Sequence, residues 1–197
     1  MARIGYLQFT PIFGEVEANL RRVEALLDDA EADLVVLPEL ALTGYAFVDA
    51  DELRGLSEPA SGPVEGALAR LAGDLGGYLA VGLPERDGEL VYNASLLVGP
   101  AGVVGRYRKV HLFQRERELF APGDGGFPVW DLGFARVGMM ICFDWLFPEA
   151  ARSLALGGAE VIAHPSNLVL PHCQGVMPAR CLENRVFAVT ANRGGRE

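Results

Sequence analysis

Three residues with reactive side chains each come directly after a short apolar segment of the sequence: Glu39, Lys109 and Cys142. A thiol can attack an electrophilic carbon, a carboxylate can carry the thiol proton, and an ammonium group can stabilise the oxyanion that forms. Apolar segments of this length predict buried strands, and functional residues in sheets with helical crossovers collect beyond the carboxyl ends of the strands. The sequence therefore predicts one cleft in which a carboxylate, an ammonium and a thiol meet for covalent catalysis.

Each of these residues also has an ordinary structural interpretation. Glu39 is compatible with a helix-capping acid or a surface charge, and Lys109, which lies among arginines and a histidine, with a solvated basic turn. Cys142 follows two methionines and an isoleucine, which is typical of a buried, unreactive thiol. A sharp turn from a strand into the helix opened by Pro148 favours the reactive interpretation, because the positive end of a helix lowers the pKa of a nearby thiol.

The spacing of apolar residues predicts the elements that position these side chains. Three- and four-residue steps predict helices at 15–32, 64–75, 147–158 and 177–184. Short apolar or alternating segments predict strands at 3–9, 34–37, 78–83, 90–98, 103–107, 127–131, 135–141, 161–163 and 186–190. Turn signals occur at 87–88 and 99–102, whereas residues 43–63 follow no clear period and predict a loop. Helices and strands that alternate and are mixed with hairpins predict an α/β fold with one or two mixed sheets covered by helices.

The composition limits the class of protein. A length of 197 residues predicts a single domain over 1–197, and 50% hydrophobic with 22% charged residues excludes disorder for the bulk of the chain. The net charge of −9 and the absence of a long basic run argue against a nucleic-acid partner. Three cysteines are an odd count, so we expect reduced thiols rather than a disulfide framework.

The N-terminal segment and the hydropathy of the sequence bear on localisation. Residues 1–9 are too few and too polar for a signal peptide. No apolar stretch approaches the roughly 20 residues that a membrane-spanning helix needs. The sequence therefore predicts a soluble, cytoplasmic protein without a membrane partner.

Several spaced motifs together closely resemble the nitrilase superfamily of carbon–nitrogen hydrolases, over essentially the whole chain. They are Leu-Pro-Glu-Leu at 37–40, Tyr-Arg-Lys-Val-His-Leu at 107–112, Cys-Phe-Asp-Trp-Leu-Phe-Pro-Glu at 142–149 and Arg-Cys-Leu-Glu-Asn-Arg at 180–185. Glu116, followed by Phe-Ala-Pro-Gly at 120–123, matches the motif of a second glutamate. The resemblance implies a four-layer α-β-β-α sandwich and a homodimer, or a higher homo-oligomer, in which subunits pack helix layer to helix layer.

The resemblance also implies a role for each matching residue. Cys142 is expected to attack the substrate, and Lys109 is expected to hold the oxyanion together with the backbone N–H of Phe143. Glu39 is expected to accept the thiol proton, to protonate the leaving ammonia and then to activate water. Glu116 is expected to position Lys109 or the substrate. The reaction needs no cofactor and no metal.

The substrate follows less directly from the sequence. Strict nitrilases typically have Cys-Trp-Glu at the nucleophile, whereas Cys-Phe-Asp at 142–144 resembles the amidase-type branches. This favours a small amide with release of ammonia, while nitriles and N-carbamoyl compounds stay open. Tyr45 is expected to line the pocket, and the loop 167–171, which begins with Asn167, to shape it for an apolar acyl group.

The histidines and the remaining cysteines allow two alternatives. A Cys–His hydrolase could use His111, His164 or His172, although none of these has a local signature. A metal site could combine His164 and His172 with Cys173 and Cys181, but adjacent His172 and Cys173 lack the paired spacing of zinc ligands. A plain structural interpretation of these residues is favoured.

A third alternative concerns the end of the chain. Members of the superfamily normally continue for some tens of residues beyond the point at which this sequence stops, so the domain is expected to be C-terminally short. The chain would then be a fragment, a truncated form or a non-catalytic binding subunit. A lost strand exposes an unpaired sheet edge, so a less stable form with weak or absent activity stays open.

Overall fold

The computed structural model describes residues 1–195, which form two β-sheets and six α-helices. The strands are β1 (Ile4–Tyr6), β2 (Leu34–Val36), β3 (Glu58–Pro59), β4 (Tyr78–Asp87), β5 (Leu90–Gly99), β6 (Gly102–Arg108), β7 (Val129–Asp131), β8 (Arg136–Met139), β9 (Val161–Ser166) and β10 (Phe187–Asn192). The helices are α1 (Val16–Leu27), α2 (Ala50–Leu56), α3 (Pro63–Leu75), α4 (Glu116–Leu119), α5 (Pro148–Leu156) and α6 (Cys173–Asn184). A 3₁₀ helix, Cys142–Leu146, lies between β8 and α5.

Both sheets mix parallel and antiparallel pairs. The first sheet has the order β1-β2-β4-β5-β6, with β3 paired to β4. Its β1-β2-β4 part is parallel, whereas β4, β5 and β6 form antiparallel hairpins. The second sheet has the order β10-β9-β8-β7, of which only the pair β7-β8 is antiparallel. Tight turns join the antiparallel strands and helices join most parallel ones, as strand geometry requires.

The two sheets lie face to face and each carries helices on its outer side. Leu34 and Val36 pack into the apolar layer between the sheets, whereas Val35 packs against α1 and α3. This split follows from the alternation of side chains along a strand. On the other side, α5 and α6 cover the second sheet through a cluster that includes Leu154 and Met177. The four layers confirm the predicted α-β-β-α sandwich.

The sequence-based predictions differ from the structure in several elements, among them the short β3 and α4, which were not predicted. The segment predicted as a loop contains α2, which buries only Leu53 and is capped by Asp49. A helix with one buried residue gives no periodic signal, and therefore the pattern missed it. Helix α6 begins at Cys173 rather than at Met177, and β1 covers only Ile4–Tyr6 of the predicted 3–9. No side-chain cap marks the start of α6.

Two glycines allow close backbone approaches beside the reactive residues. A Cβ atom at Gly82 in β4 would lie 2.6 Å from the Cα atom of Glu39, so only glycine lets this segment pack against β4. A Cβ atom at Gly123 would collide with the carbonyl group of Arg108, and the N–H of Gly123 donates to the carbonyl oxygen of Lys109 at 2.9 Å. Both approaches fix the backbone on which a reactive side chain is carried.

Within residues 1–195, no helix combines the length and apolar character that crossing a membrane requires.

Candidate active site

The structure brings Glu39, Lys109 and Cys142 together at one end of the two sheets. Glu39 follows β2, Lys109 follows β6, and Cys142 begins the 3₁₀ helix after β8. All three are buried, with at most 6% of each residue exposed. The Lys109 Nζ atom donates to the Glu39 Oε1 atom at 2.6 Å. The Glu39 carboxylate is near enough to the Cys142 thiol for its charge to raise the pKa of that thiol.

A second glutamate completes the polar cluster. The Lys109 Nζ atom also donates to Glu116 Oε1 at 2.8 Å, so one ammonium serves two buried carboxylates. Glu116 is itself fixed by the hydroxyl of Tyr45, which donates to Oε1 at 2.8 Å, and by the N–H of Phe113, which donates to Oε2 at 2.7 Å. These contacts place the Glu116 carboxylate against the Lys109 ammonium.

Cys142 adopts a strained backbone conformation. Its φ is +40°, and Leu40, which follows Glu39 in the sequence, has a φ of +49°. Such left-handed conformations of non-glycine residues persist only where the surrounding structure fixes them, and they concentrate at functional sites. The Cys142 thiol donates to the carbonyl oxygen of Asn167 at 3.2 Å, and the N–H of Asn167 donates to Glu39 Oε2 at 3.0 Å. Asn167 thus contacts both reactive groups through its backbone.

The protonation states follow from burial and from the neighbouring charges. Burial raises the pKa of Glu39 from its ordinary value of 4.5 to about 7, against the opposing charge of Lys109. Burial by itself would lower the pKa of Lys109, but the charge of Glu39 above all holds it above its ordinary value of 10.5. The ammonium is therefore a fixed cation, whereas Glu39 exchanges its proton near neutrality.

The expectation that a helix end lowers the pKa of Cys142 is wrong. Burial raises the pKa of this thiol well above its ordinary value of 9.0, and the charge of Glu39 adds to the effect. The charge of Lys109 opposes this shift but does not outweigh it. Cys142 is consequently a thiol at rest and needs a base for its proton, which Glu39 can supply.

Asp144 joins the segments that carry Lys109 and Cys142. Its Oδ2 atom accepts from the hydroxyl of Tyr107 at 2.7 Å and from the N–H of Ile141 at 2.8 Å. Its Oδ1 atom accepts from the backbone N–H of His111 at 3.2 Å and lies 2.8 Å from the His111 Nδ1 atom. Asp144 is fully buried, and its hydrogen bonds link the end of β6 to the turn that carries the nucleophile.

Sequence reasoning assigned no role to two residues of this site, Asn93 and Asp144. Asn93 donates from Nδ2 to Glu39 Oε1 at 2.8 Å and to Glu116 Oε1 at 3.2 Å. The available signal was a polar residue in the middle of the apolar segment 90–98, which must have a buried partner. That signal identifies the position but not the partner.

His111 and His164 both contact groups other than the Cys142 thiol. His164 is buried in β9 and lies 3.0 Å from the carbonyl oxygen of Cys142 through Nε2, so Nε2 carries the donated hydrogen. Its Nδ1 atom then accepts from the hydroxyl of Thr190 at 2.9 Å. Burial lowers the pKa of His164 to about 4, so the ring is neutral near neutral pH. His111 contacts Asp144, and His172 is exposed at the start of α6.

The proposed alternative of a metal site has no support in the part of the chain that the structure describes. Residues 1–195 contain no group of three or more His, Cys, Asp or Glu side chains placed to hold a metal ion. Cys173 packs in the apolar cluster beneath α6, and Cys181 is half-buried on the same helix.

A narrow cleft with a volume of about 10 Å³ lies beside Cys142. Its lining consists of Phe113, Cys142, Phe143, Trp145, Asn167, Leu168, Val169 and Leu170. The Phe143 ring packs against Phe113, with ring centroids 4.8 Å apart. A second cavity contains Tyr45 and Glu116 and shares Phe113 and Val169 with the first. The loop after β9 therefore lines the cleft beside the nucleophile, whereas Tyr45 lines the second cavity.

The chain is similar to enzymes that act on carbon–nitrogen bonds. A family model described as carbon-nitrogen hydrolase matches residues 3–197. The chain is 49% identical to a nitrilase of Pyrococcus abyssi, with all of this chain and 77% of that protein covered. It is 36% identical to an (R)-stereoselective amidase of Pseudomonas, covering 98% of this chain and 71% of that protein. A variant of the amidase from Nesterenkonia sp. AN1, in which acrylamide has added to the active-site cysteine, superposes with a TM-score of 0.86 at 27% identity, covering 100% of this chain and 80% of that one.

Proposed function

The chain belongs to the carbon–nitrogen hydrolase family, and from this membership we propose that it hydrolyses a small amide through a thioester on Cys142. It is an enzyme of amide or nitrile hydrolysis, as its family and its amidase and nitrilase relatives indicate. The observation that carries the proposal is the meeting of the Cys142 thiol, the Glu39 carboxylate and the Lys109 ammonium. Glu39 accepts from Lys109 at 2.6 Å, and the backbone of Asn167 contacts both Glu39 and the thiol. These three groups are the nucleophile, the base and the cation that the reaction needs.

The first step is addition to the carbonyl carbon. The Cys142 sulfur forms a bond to that carbon, and the thiol proton moves to the Glu39 carboxylate. The carbonyl π electrons move to oxygen, giving a tetrahedral oxyanion. The Lys109 ammonium stabilises this charge together with the N–H of Phe143, and Glu116 keeps the ammonium in place.

The second step releases the amine and the third releases the acid. Glu39 gives its proton to the leaving nitrogen, the C–N bond breaks and ammonia departs, which leaves an acyl thioester on Cys142. Water then attacks the thioester carbon while Glu39 takes one of its protons. The C–S bond breaks, the sulfur recovers a proton from Glu39, and a carboxylic acid leaves. A nitrile passes through the analogous thioimidate.

A change of Lys109 to arginine separates an oxyanion role from simple substrate binding. The ammonium is a compact charge held at 2.6 and 2.8 Å by two carboxylates, whereas a guanidinium is planar and wider. We expect Lys109→Arg to lower kcat by at least about 10²-fold, the scale of one oxyanion donor, with a smaller change in substrate affinity. Steady-state kinetics and a binding assay in a Cys142→Ala background measure the two effects.

The matched control for this exchange is Arg106→Lys, the reverse change in an ion pair with Glu65 outside the site, at 3.1 Å. We expect it to leave kcat near that of the unchanged enzyme. A Lys109→Arg enzyme with normal kcat and weakened binding would instead make Lys109 a substrate anchor.

The cleft favours a neutral, apolar acyl group. Apart from Cys142 and Asn167, its lining side chains are all apolar, so a charged substrate group would lose hydration there without a partner. We expect ammonia release to be fastest from a short aliphatic amide, slower from the nitrile of the same carbon skeleton, and slowest from an N-carbamoyl amino acid. A colorimetric ammonia assay over this panel, with Cys142→Ala as the blank, measures the order. A fastest rate with the N-carbamoyl compound would contradict the amide assignment.

The oligomeric state of the enzyme is part of the same proposal. Leu156 on α5 and Leu182 on α6 are 80% and 82% exposed, which supports a homodimer or higher homo-oligomer that pairs these helix layers. A monomeric mass in light scattering would contradict that assembly.

Three free cysteines, one of them the nucleophile, support a reducing, cytoplasmic location. Because site residues follow strands of both sheets, we propose that residues 1–197 work as one domain.

A further inference from the structure

Asn93 contacts both glutamates of the candidate site. It lies on β5, is fully buried, and donates from Nδ2 to Glu39 Oε1 at 2.8 Å and to Glu116 Oε1 at 3.2 Å. The Lys109 Nζ atom donates to the same two oxygen atoms. Two donors, one charged and one neutral, therefore bridge the two carboxylates.

This arrangement partly offsets an imbalance of charge between the two carboxylates and the single ammonium. Two carboxylates and one ammonium leave an excess negative charge among buried side chains, and each carboxylate raises the proton affinity of the other. The amide orientation of Asn93 follows from this, because an oxygen facing the carboxylates would repel them. The Oδ1 atom of Asn93 is buried without a hydrogen-bond partner in the described residues. A buried acceptor left unpaired is costly, which indicates that the Nδ2 contacts are what this side chain provides.

We propose that Asn93 is a positioning residue whose amide lets Glu39 and Glu116 share one ammonium and keeps Glu39 available as the base for Cys142. This inference rests on the proposed function, since it assigns Asn93 a part in the same proton transfer. Asn93 touches neither the thiol nor the cleft lining among the contacts described, so it acts through Glu39.

The groups around Glu39 determine in which direction its pKa moves when the Asn93 amide is removed. The charged and titratable groups that interact with Glu39 come from the segments after β2 and β6, from α4 and from the 3₁₀ helix: Tyr45, Lys109, Glu116 and Cys142. His164 on β9 and Asp144 in the 3₁₀ helix interact with each other, and His164 also interacts with Cys142 and Lys109. Burial raises the pKa of Glu39 and so does Glu116, whereas Lys109 and the amide of Asn93 lower it. Removal of the Asn93 amide therefore raises the pKa of Glu39 above about 7.

The test is the pH dependence of two reactions of the full chain, amide hydrolysis and alkylation of Cys142 by iodoacetamide followed by peptide mass spectrometry. Both reactions need Glu39 as a carboxylate. In the unchanged enzyme both rates fall below about pH 7, because Glu39 becomes protonated. In Asn93→Ala we expect this acidic limb to move up by about one pH unit, a loss of about tenfold at pH 6 that largely disappears at pH 9.

Asn93→Asp provides a second variant of nearly the same shape. It replaces the donor by a third carboxylate, so the limb should move further than in Asn93→Ala. The matched control is Ser95→Ala, two residues along the same strand and buried, whose hydroxyl contacts Met139 Sδ at 3.3 Å and no glutamate. Its limb should stay in place. Thermal melting establishes that each variant is folded.

The outcomes separate this inference from the proposed function. Both limbs shifted upward in the Asn93 variants, and unshifted in Ser95→Ala, support the positioning role. A loss that is equal at every pH, in either variant that folds, would reduce Asn93 to a packing residue and overturn the inference. An unchanged enzyme that releases no ammonia from any amide or nitrile would overturn the proposed function, whereas the alkylation profile would still test the link between Asn93, Glu39 and Cys142.

Discussion

The Cys142→Ala enzyme is expected to have no measurable turnover of amides or nitriles and an unchanged fold. Removal of the nucleophile from a covalent hydrolase costs on the order of 10⁶-fold in kcat. Alanine accepts the same backbone, because φ of +40° strains alanine and cysteine alike, and only one buried sulfur atom is lost. Ammonia release and thermal melting measure the two outcomes on the same preparation.

The other two cysteines provide the controls for this prediction. Cys173 is buried beneath α6 and Cys181 is half-buried on it, and neither lies at the end of β8. Cys173→Ala and Cys181→Ala should keep turnover, and substrate should protect Cys142 alone from iodoacetamide. If Cys173 is the thiol whose removal stops the reaction, the nucleophile is wrongly assigned.

Glu39→Gln is expected to lower kcat/KM by at least about 10²–10⁴-fold, the range of general acid–base catalysis. Glutamine keeps the shape of the side chain, but it cannot take the proton of a thiol whose pKa burial holds well above 9.0. Its amide would also place a neutral group beside the Lys109 Nζ atom, where a carboxylate oxygen now accepts at 2.6 Å. Steady-state kinetics on a short amide gives the size of the loss.

The pH profile gives this prediction a second readout. The pKa of Glu39 is raised to about 7, so in the unchanged enzyme kcat/KM should rise about tenfold per pH unit below that value and level off above it. Glu39→Gln should lose the acidic limb together with the activity. Glu65→Gln, which alters a carboxylate paired with Arg106 outside the site, should keep both the rate and the limb. Near-normal turnover in Glu39→Gln would show that Glu39 is not the catalytic base.

The order of elements and the reactive residues could be predicted from the sequence because they depend on local patterns. The continuous apolar segment at 34–37 predicted a strand buried on both faces, and β2 is fully buried. The predicted helix 64–75 ends where α3 ends, because Gly76 adopts the left-handed conformation that stops it. Glu39, Lys109 and Cys142 were identified in the same way, since each follows such a strand. Local signals failed for α2, which buries only Leu53.

Only the tertiary structure decided how these groups interact, because strand register and burial depend on contacts between segments that are far apart in the sequence. Asn93 meets Glu39 across 54 residues of sequence and Asn167 meets it across 128, the latter through a backbone N–H that side-chain identity does not encode. The pKa of Cys142 could not be inferred from its helix end alone. The burial of its sulfur and the nearby charge of Glu39 outweigh Lys109 and make the thiol dependent on a base. The sequence thus determined which chemical groups are present, whereas the packing of two sheets determined their distances and their protonation.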